Sequence, residues 1–279
     1  MNDPLPPGLY IVATPIGNLG DLSARAAAVL AGAAVIAAED SRVTAKLLAH
    51  LGIRRPMTPY HDHVTERVRP ALVARMASEA VALVSDAGTP LISDPGYKLV
   101  RDARAAGVPV TTIPGPCAAV AALTLAGLPT DRFAFIGFLP AKAGARAAAI
   151  TEAGAFKGSL ILYESGPRLG AALAALRDGL GDRPAAVVRE ITKKFEETVT
   201  GSLSELAERY AEAAPKGEIV VVVGPPSEPA AAATEDVDEA LREAMTRLSP
   251  SRAAAEVAER LGLKRRDVYE RVQQLKDEA

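Results

Sequence analysis

The chain has one cysteine, Cys117, in 279 residues. No intrachain disulfide can form, and a cysteine-rich metal site is excluded. That usage fits a reducing, cytoplasmic compartment. Long apolar runs are missing too, since none approaches the roughly 18 residues that cross a bilayer. The N-terminus shows no charged-then-apolar leader pattern. Charge of one sign is not in excess either. The formal net charge of −2 argues against a polycationic nucleic-acid binder as a whole, while leaving local basic patches open. No internal repeat is visible.

Two phosphate-binding signatures are also absent. The loop Thr14-Pro-Ile-Gly-Asn-Leu-Gly-Asp21 follows the first apolar run. Its glycines are spaced G-x-x-G, and Pro15 stands where a backbone donor would help hold a pyrophosphate, so it is not the dinucleotide fingerprint. No Gly-Lys-Ser/Thr follows, so it is not a P-loop. A cofactor without a pyrophosphate fits better, with an ordinary strand-to-helix turn as the plainer reading.

What is present is a sizeable apolar fraction, 49 %, in an alternating pattern. Apolar runs at 9–14, 33–37, 57–60, 81–84 and 110–113 read as strands, with helices at 22–30, 43–51, 64–77 and 97–106 between them. Pro70 marks a kink or boundary in the third helix. Such alternation implies right-handed βαβ units and a parallel sheet. After Pro114-Gly115-Pro116 the pattern changes. Strands at 133–138, 159–163, 186–191, 196–201 and 218–223 lie closer together, with helices at 118–126, 167–180 and 202–213, which predicts a mixed sheet. The run 218–223 is wholly apolar and should be central. Residues 225–234 read as a linker, and helices at 237–248, 252–261 and 267–275 form a tail. The expected division is an α/β domain over 1–115, a second α/β domain over 116–226, a linker over 227–235 and a helical unit over 236–279.

The most telling segment is Ser85-Asp-Ala-Gly-Thr-Pro-Leu-Ile-Ser-Asp-Pro-Gly96, between a buried strand and a helix. Ligands of open α/β sheets bind outside the carboxyl ends of the strands. Gly88 allows close backbone approach, and Pro90 and Pro95 stiffen the loop. Asp94 reads as the cap of the following helix, with Pro95 at its first position. Asp86 and Gly88 lie too early for that and read as ligand contacts.

Other polar groups collect at strand ends. Glu39-Asp-Ser-Arg42 follows the second strand, where a carboxylate holds ribose hydroxyls or caps the next helix, and Arg42 suits a substrate phosphate. His61-Asp62-His63 has no obvious third metal ligand, so a cleft rim or surface loop is favoured over a metal. Cys117 opens a helix whose N–H groups are available to an anion. It reads as a small residue beneath a ligand more readily than as a nucleophile. Tyr163-Glu164-Ser165 ends a strand of the second half and faces the same cleft. Glu190, Lys193, Lys194, Glu196 and Glu197 read most simply as solvated surface. In the tail, residues 253–269 resemble a helix-turn-helix, with Gly262 in the turn and Lys264, Arg265 and Arg266 leading the second helix. Such a unit binds phosphate backbones, or serves only as a packing domain.

Taken together, these segments resemble a known family. Thr14–Asp21, Ala38-Glu-Asp-Ser-Arg42, His61-Asp-His63, Val84–Tyr97, Pro114-Gly-Pro-Cys-Ala-Ala119, Gly137-Phe-Leu-Pro-Ala-Lys142 and Tyr163-Glu-Ser165 occur in order. The chain closely resembles the bacterial small-subunit ribosomal RNA 2′-O-methyltransferases of the tetrapyrrole-methylase-like superfamily, over essentially its whole length. One departure is Gly166, where the family pattern has Thr or Ser.

The resemblance implies two α/β domains with S-adenosylmethionine in the cleft between them, and a homodimer in the cytoplasm. It implies 2′-O-methylation of a cytidine in the decoding region of 16S rRNA, on the 30S subunit. By position, Pro15, Gly17, Asp86, Ala87, Gly88, Pro90, Cys117, Ala118 and Tyr163 would contact the cofactor. A ribose hydroxyl is a weak nucleophile, so a proton acceptor would help, and Asp40, His61 and Glu164 are the expected ones. Arg42, Lys264, Arg265 and Arg266 are the expected substrate contacts, with no metal and no membrane required. A tetrapyrrole methyltransferase of the same fold and a non-enzymatic RNA-binding protein are the rival readings.

Overall fold

A computed structural model describes residues 5–61, 65–212, 214–226, 234–263 and 265–277. The chain forms two compact units, 1–225 and 226–279. The first holds two five-stranded sheets. The boundary expected at 115 falls between these sheets, and the linker expected at 227–235 lies mostly outside the described residues.

The first sheet comprises β1 (Gly8–Val12), β2 (Val35–Ala38), β3 (Met57–Pro59), β4 (Ala80–Val84) and β5 (Val110–Ile113), in the order β3-β2-β4-β1-β5. Every pairing is parallel. Helices α1 (Ala24–Gly32) and α2 (Ser41–His50) cover one face through Val29, Leu30, Leu47 and Leu48. Helices α3 (Thr65–Met76) and α4 (Tyr97–Ala105) cover the other through Leu72, Met76, Leu99 and Ala103. With both faces covered, β2 and β4 are buried at every position. Pro70 lies inside a continuous α3. The neighbours β1 and β4 send their following helices to opposite faces of the sheet. Their outgoing loops therefore part at the carboxyl edge and leave a crevice, the usual ligand position in an open α/β sheet.

Helix α5 (Ala118–Leu125) leads into the second sheet, made of β6 (Phe133–Phe138), β7 (Ser159–Ser165), β8 (Pro184–Arg189), β9 (Glu197–Ser202) and β10 (Glu218–Val223). The order is β6-β7-β10-β8-β9, with β6 parallel to β7 and the other pairs antiparallel. The sheet is mixed, and the apolar β10 is its central strand. Alternation splits its side chains between two cores. Ile161, Val220 and Val222 pack on α5. Leu160, Leu162, Ile219 and Val221 pack towards α7 (Gly166–Leu180) and α8 (Leu203–Arg209). A further helix, α6 (Ala143–Gly154), has no counterpart in the sequence reading. It is mostly Ala and Gly and buries one large side chain, Ile150, so it lacks an apolar stripe.

The second unit contains α9 (Thr234–Met245), α10 (Pro250–Leu261) and α11 (Arg265–Asp277) around Leu241, Val257, Val268 and Val272. Gly262 closes α10 in the left-handed region at φ 66°, as a turn glycine should. Asp238 receives Arg271 through both carboxylate oxygens, at 2.8 and 2.7 Å, which ties α9 to α11.

Candidate active site

A cleft of about 410 Å³ opens between the two sheets of the first unit. The wall from the first sheet is made of loops. The loop after β4 is fastened to the loop after β1 by a two-way bridge. Thr14 N–H donates to the Gly88 carbonyl at 2.8 Å, and Gly88 N–H donates to the Thr14 carbonyl at 3.1 Å. On its other side Thr89 Oγ1 donates to the Pro116 carbonyl at 2.9 Å. Gly88 adopts φ 79°, and a Cβ there would stand 3.2 Å from Ile16 Cγ2. Backbone freedom and close approach both require glycine.

The same loop carries the acidic groups. Asp86 N–H donates to Glu39 Oε2 at 3.2 Å, and Asp40 N–H donates to Asp86 Oδ1 at 2.9 Å. This exchange locks the ends of β4 and β2 together. Loss of water raises the Asp86 carboxyl above its ordinary value, against the Asp40 N–H bond. Burial pushes Asp94 up to about 6, with Glu39 and Asp86 adding repulsion and the Ser85 hydroxyl opposing. Asp94 does not cap α4. The N-cap is Gly96 at φ 143°, without a side-chain bond, and Asp94 instead lines the cleft.

The facing wall comes from strand surfaces and one helix start. Tyr163 on β7 lies edge-on to Phe135 and Phe138, with ring centroids 4.8 and 5.6 Å away. Burial first, then the neighbouring Cys117, pushes its hydroxyl up to about 12, so it stays a neutral hydrogen-bonding group. Cys117 and Ala118 line the floor at the start of α5, and Ile191 and residues 217–220 close the far side.

Four described non-glycine residues have left-handed backbone: Leu91 at 76°, Ser93 at 63°, Glu190 at 51° and Thr192 at 65°. They fall in the two segments, after β4 and after β8, that contribute Ile92, Ser93 and Ile191 to the cleft. Such conformations cost about 1–3 kcal/mol each and collect at ligand sites. The segment after β8 also reaches the loop after β1, where Thr192 Oγ1 donates to Asp21 Oδ2 at 2.7 Å. Lys193 is not simple solvated surface. Its stem occupies the space a Cβ at Gly17 would need, and its Nζ lies 2.8 Å from both Glu190 Oε1 and Glu218 Oε2.

Of the expected cofactor contacts, Asp86, Ala87, Gly88, Cys117, Ala118 and Tyr163 all line this cleft. Pro15 and Gly17 line an adjoining cleft instead. Pro90 is buried and lines neither. Ile92, Ser93, Phe138, Ile191 and residues 217–220 were not singled out by the sequence. The one signal for the last group is Glu218, a carboxylate heading an otherwise apolar strand.

Of the three expected proton acceptors, Asp40 and His61 line neither cleft and Glu164 lines the first. Asp40 caps α2 by accepting the Arg42 N–H at 2.8 Å, and the Arg42 guanidinium grips the same carboxylate at 2.6–3.2 Å. That side-chain bond holds Asp40 down at about 2, where it is a weak base. His61 follows the edge strand β3 and lines neither cleft, while Asp62 and His63 lie outside the described residues. Glu164 and Ser165 line the cleft beside Tyr163 at the end of β7, although strand alternation turns the Glu164 side chain to the face that Leu160 and Leu162 share with α7. Glu164 Oε1 accepts the Ser165 N–H at 2.8 Å and lies 3.3 Å from Arg168 Nε. A helix start thus claims Asp40, and Glu164 is held by its own helix start at the cleft edge.

Arg42 is 89 % exposed at its side chain. Arg265 and Arg266 head α11, with Arg265 Nη2 3.3 Å from Ser251 Oγ and Arg266 Nε 3.1 Å from Glu270 Oε1. Lys264 lies outside the described residues. No described helix is long and apolar enough to cross a membrane.

Residues 8–207 match the tetrapyrrole (corrin/porphyrin) methylases, and residues 231–276 match the RsmI C-terminal HTH domain. The chain is 54 % identical to the ribosomal RNA small subunit methyltransferase I of Erythrobacter litoralis, covering 98 % of this chain and 97 % of that one. Identity is 48 % to the protein of the same name from Mesorhizobium japonicum, covering 98 % and 94 %. A uroporphyrin-III-C-methyltransferase structure from Thermus thermophilus shares the fold, with a TM-score of 0.54 and 24 % identity over 77 % of this chain and 93 % of that one.

The methyl donor of these enzymes is S-adenosylmethionine. The cleft suits it on its own evidence. Its carboxylates oppose a sulfonium and an ammonium, its aromatic and aliphatic walls suit a purine, and no pyrophosphate cradle is present. With relatives this similar along nearly its whole length, the chain belongs to the tetrapyrrole methylase family, in its ribosomal RNA small subunit methyltransferase I branch.

Proposed function

We propose that the protein methylates the ribose 2′-oxygen of a cytidine in the decoding region of 16S rRNA. Its substrate is the 30S subunit, and it works as a cytoplasmic homodimer. The observation that carries the reading is an acidic, aromatic-walled cleft in a chain whose relatives, at 54 and 48 % identity, are named for small-subunit ribosomal RNA. The basic head of α11 supports it as a phosphate contact.

When bound, S-adenosylmethionine supplies an electrophilic methyl group on a sulfonium. Asp86, Ala87, Gly88, Cys117, Ala118 and Tyr163 would hold it. Fixing the acceptor oxygen in line with that methyl supplies much of the acceleration. Glu164 is engaged by the Ser165 N–H and Arg168, so Asp86 and Asp94 are the cleft carboxylates from which a proton acceptor is drawn. A value of about 6 leaves Asp94 ionised yet basic near neutral pH. Arg42 and Arg266 would meet phosphates.

The test is transfer of tritiated methyl to unmodified 30S particles, followed by digestion to nucleosides. Label in 2′-O-methylcytidine is expected; label in a base-methylated nucleoside, or only in a tetrapyrrole, would refute the reading. Removing residues 226–279 should weaken 30S binding and leave cofactor affinity within about twofold.

A further inference from the structure

The adjoining cleft, about 330 Å³, lies between the loop after β1 and helix α2. Ile16, Asp86, Ala87 and Glu218 line both clefts, so the two share a wall. Their chemistry differs. The first gathers Glu39, Asp86, Asp94 and Glu218. The second adds Lys46 and Lys193.

Two exposed aliphatic side chains, Leu19 at 47 % and Val43 at 37 %, also line the second cleft. They offer an apolar surface on the scale of one base. Below them Thr44 is 3 % exposed, and its Oγ1 has no hydrogen-bond partner among the described residues. Ser41 Oγ at the same helix start is likewise unpartnered. Buried polar atoms in that state call for an occupant that supplies a partner.

We infer that this second cleft is the acceptor pocket, which receives one unstacked nucleotide of the RNA substrate. The inference rests on the RNA-methylating function proposed above and locates its acceptor side. The base lies against Leu19 and Val43, a flanking phosphate meets Lys46, and the ribose faces the shared wall at Asp86. Enzymes that do chemistry on a base extrude it from the stack into such a pocket, and the same seating of a base would fix its ribose at the shared wall. The shared wall gives the arrangement its function, because a donor in one cleft and an acceptor in the other meet there. The charges agree: the cationic donor takes the more acidic cleft, and the polyanionic acceptor takes the one to which Lys46 is added while Lys193 offsets Glu218.

The test uses the full-length chain, S-adenosylmethionine and unmodified 30S particles. Leu19→Trp fills the pocket and Lys46→Glu reverses its charge; both sites are exposed. Each should raise the KM for 30S particles by about tenfold or more, equivalent to about 1.4 kcal/mol. Cofactor Kd should stay within about twofold, and Lys46→Arg should restore the KM. Should both variants keep the parental KM, or should both lose cofactor affinity as strongly as RNA affinity, the pocket assignment is overturned. Absence of methyl transfer to RNA by the parent protein would instead overturn the functional reading on which it rests.

Discussion

The two walls of the cleft between the sheets are built in different ways. The wall from the parallel sheet consists of loops beyond strand ends, held by Thr14, Thr89 and the exchange between Asp86 and the Glu39–Asp40 turn. The wall from the mixed sheet is largely strand surface: Tyr163 on β7, Val220 on β10 and Phe138 at the end of β6. Parallel strands present all their carboxyl ends on one side, so their loops gather there. Antiparallel strands alternate direction, and a ligand meets the sheet through side chains on one face. The loop wall should therefore be sensitive to backbone geometry, and the strand wall to side-chain size.

The largest effect should come from where the second sheet meets its helices. A Cβ at Gly166 would overlap the Pro215 carbonyl oxygen, which explains glycine where the family pattern has Thr or Ser. Gly166→Ala should cost about 3 kcal/mol or more, seen as a lower Tm. An unchanged Tm would show that packing behind the strand wall is slack.

Gly88→Val comes next. It forces a β-branched residue to φ 79° and crowds Ile16. Cofactor affinity should fall about a hundredfold, near 2.7 kcal/mol, by calorimetry. Tyr163→Ala removes only surface from the strand wall and should weaken binding about tenfold, near 1.4 kcal/mol. If Tyr163→Ala proved the worse of the two, the contrast between walls would fail.

Asp94→Asn should have the smallest effect on stability and cofactor affinity at neutral pH, and a characteristic pH dependence. The Asp94 carboxyl is raised to about 6 by burial, so the folded protein holds a proton that the unfolded chain has released. From this group, stability is greatest below the unfolded value near 4 and declines as pH rises through about 6. The Asn variant lacks that decline, so its Tm relative to the parent should be higher at pH 8 than at pH 4. A cationic cofactor reverses the preference by favouring the ionised form. Parental cofactor affinity should tighten a fewfold between pH 5 and 7, and the variant's should stay flat.

The loop wall was largely legible in the sequence. Glycines, prolines and carboxylates clustered after an apolar run carry their own signal, which points to Asp86 and Gly88, while Ala87 follows only from the resemblance; all three line the cleft. The strand wall was legible at Tyr163-Glu164-Ser165 and not at Phe138 and Val220, which look like any other apolar strand residue. The left-handed Leu91 and Ser93 were hidden, since neither residue type favours that conformation. The capping role of Asp40 competes with a catalytic one, and the sequence does not show that the Arg42 guanidinium holds the same carboxylate. Helix α6 was missed because alanine marks no face.

The central claim is that both walls close on one molecule of S-adenosylmethionine. Hydrogen–deuterium exchange of the full chain with and without saturating S-adenosylmethionine tests it directly. Slower exchange is expected in residues 85–96 of the loop wall and in 160–165 and 217–221 of the strand wall, with 234–277 unchanged. Protection confined to one wall, or appearing only in the helical unit, would contradict it.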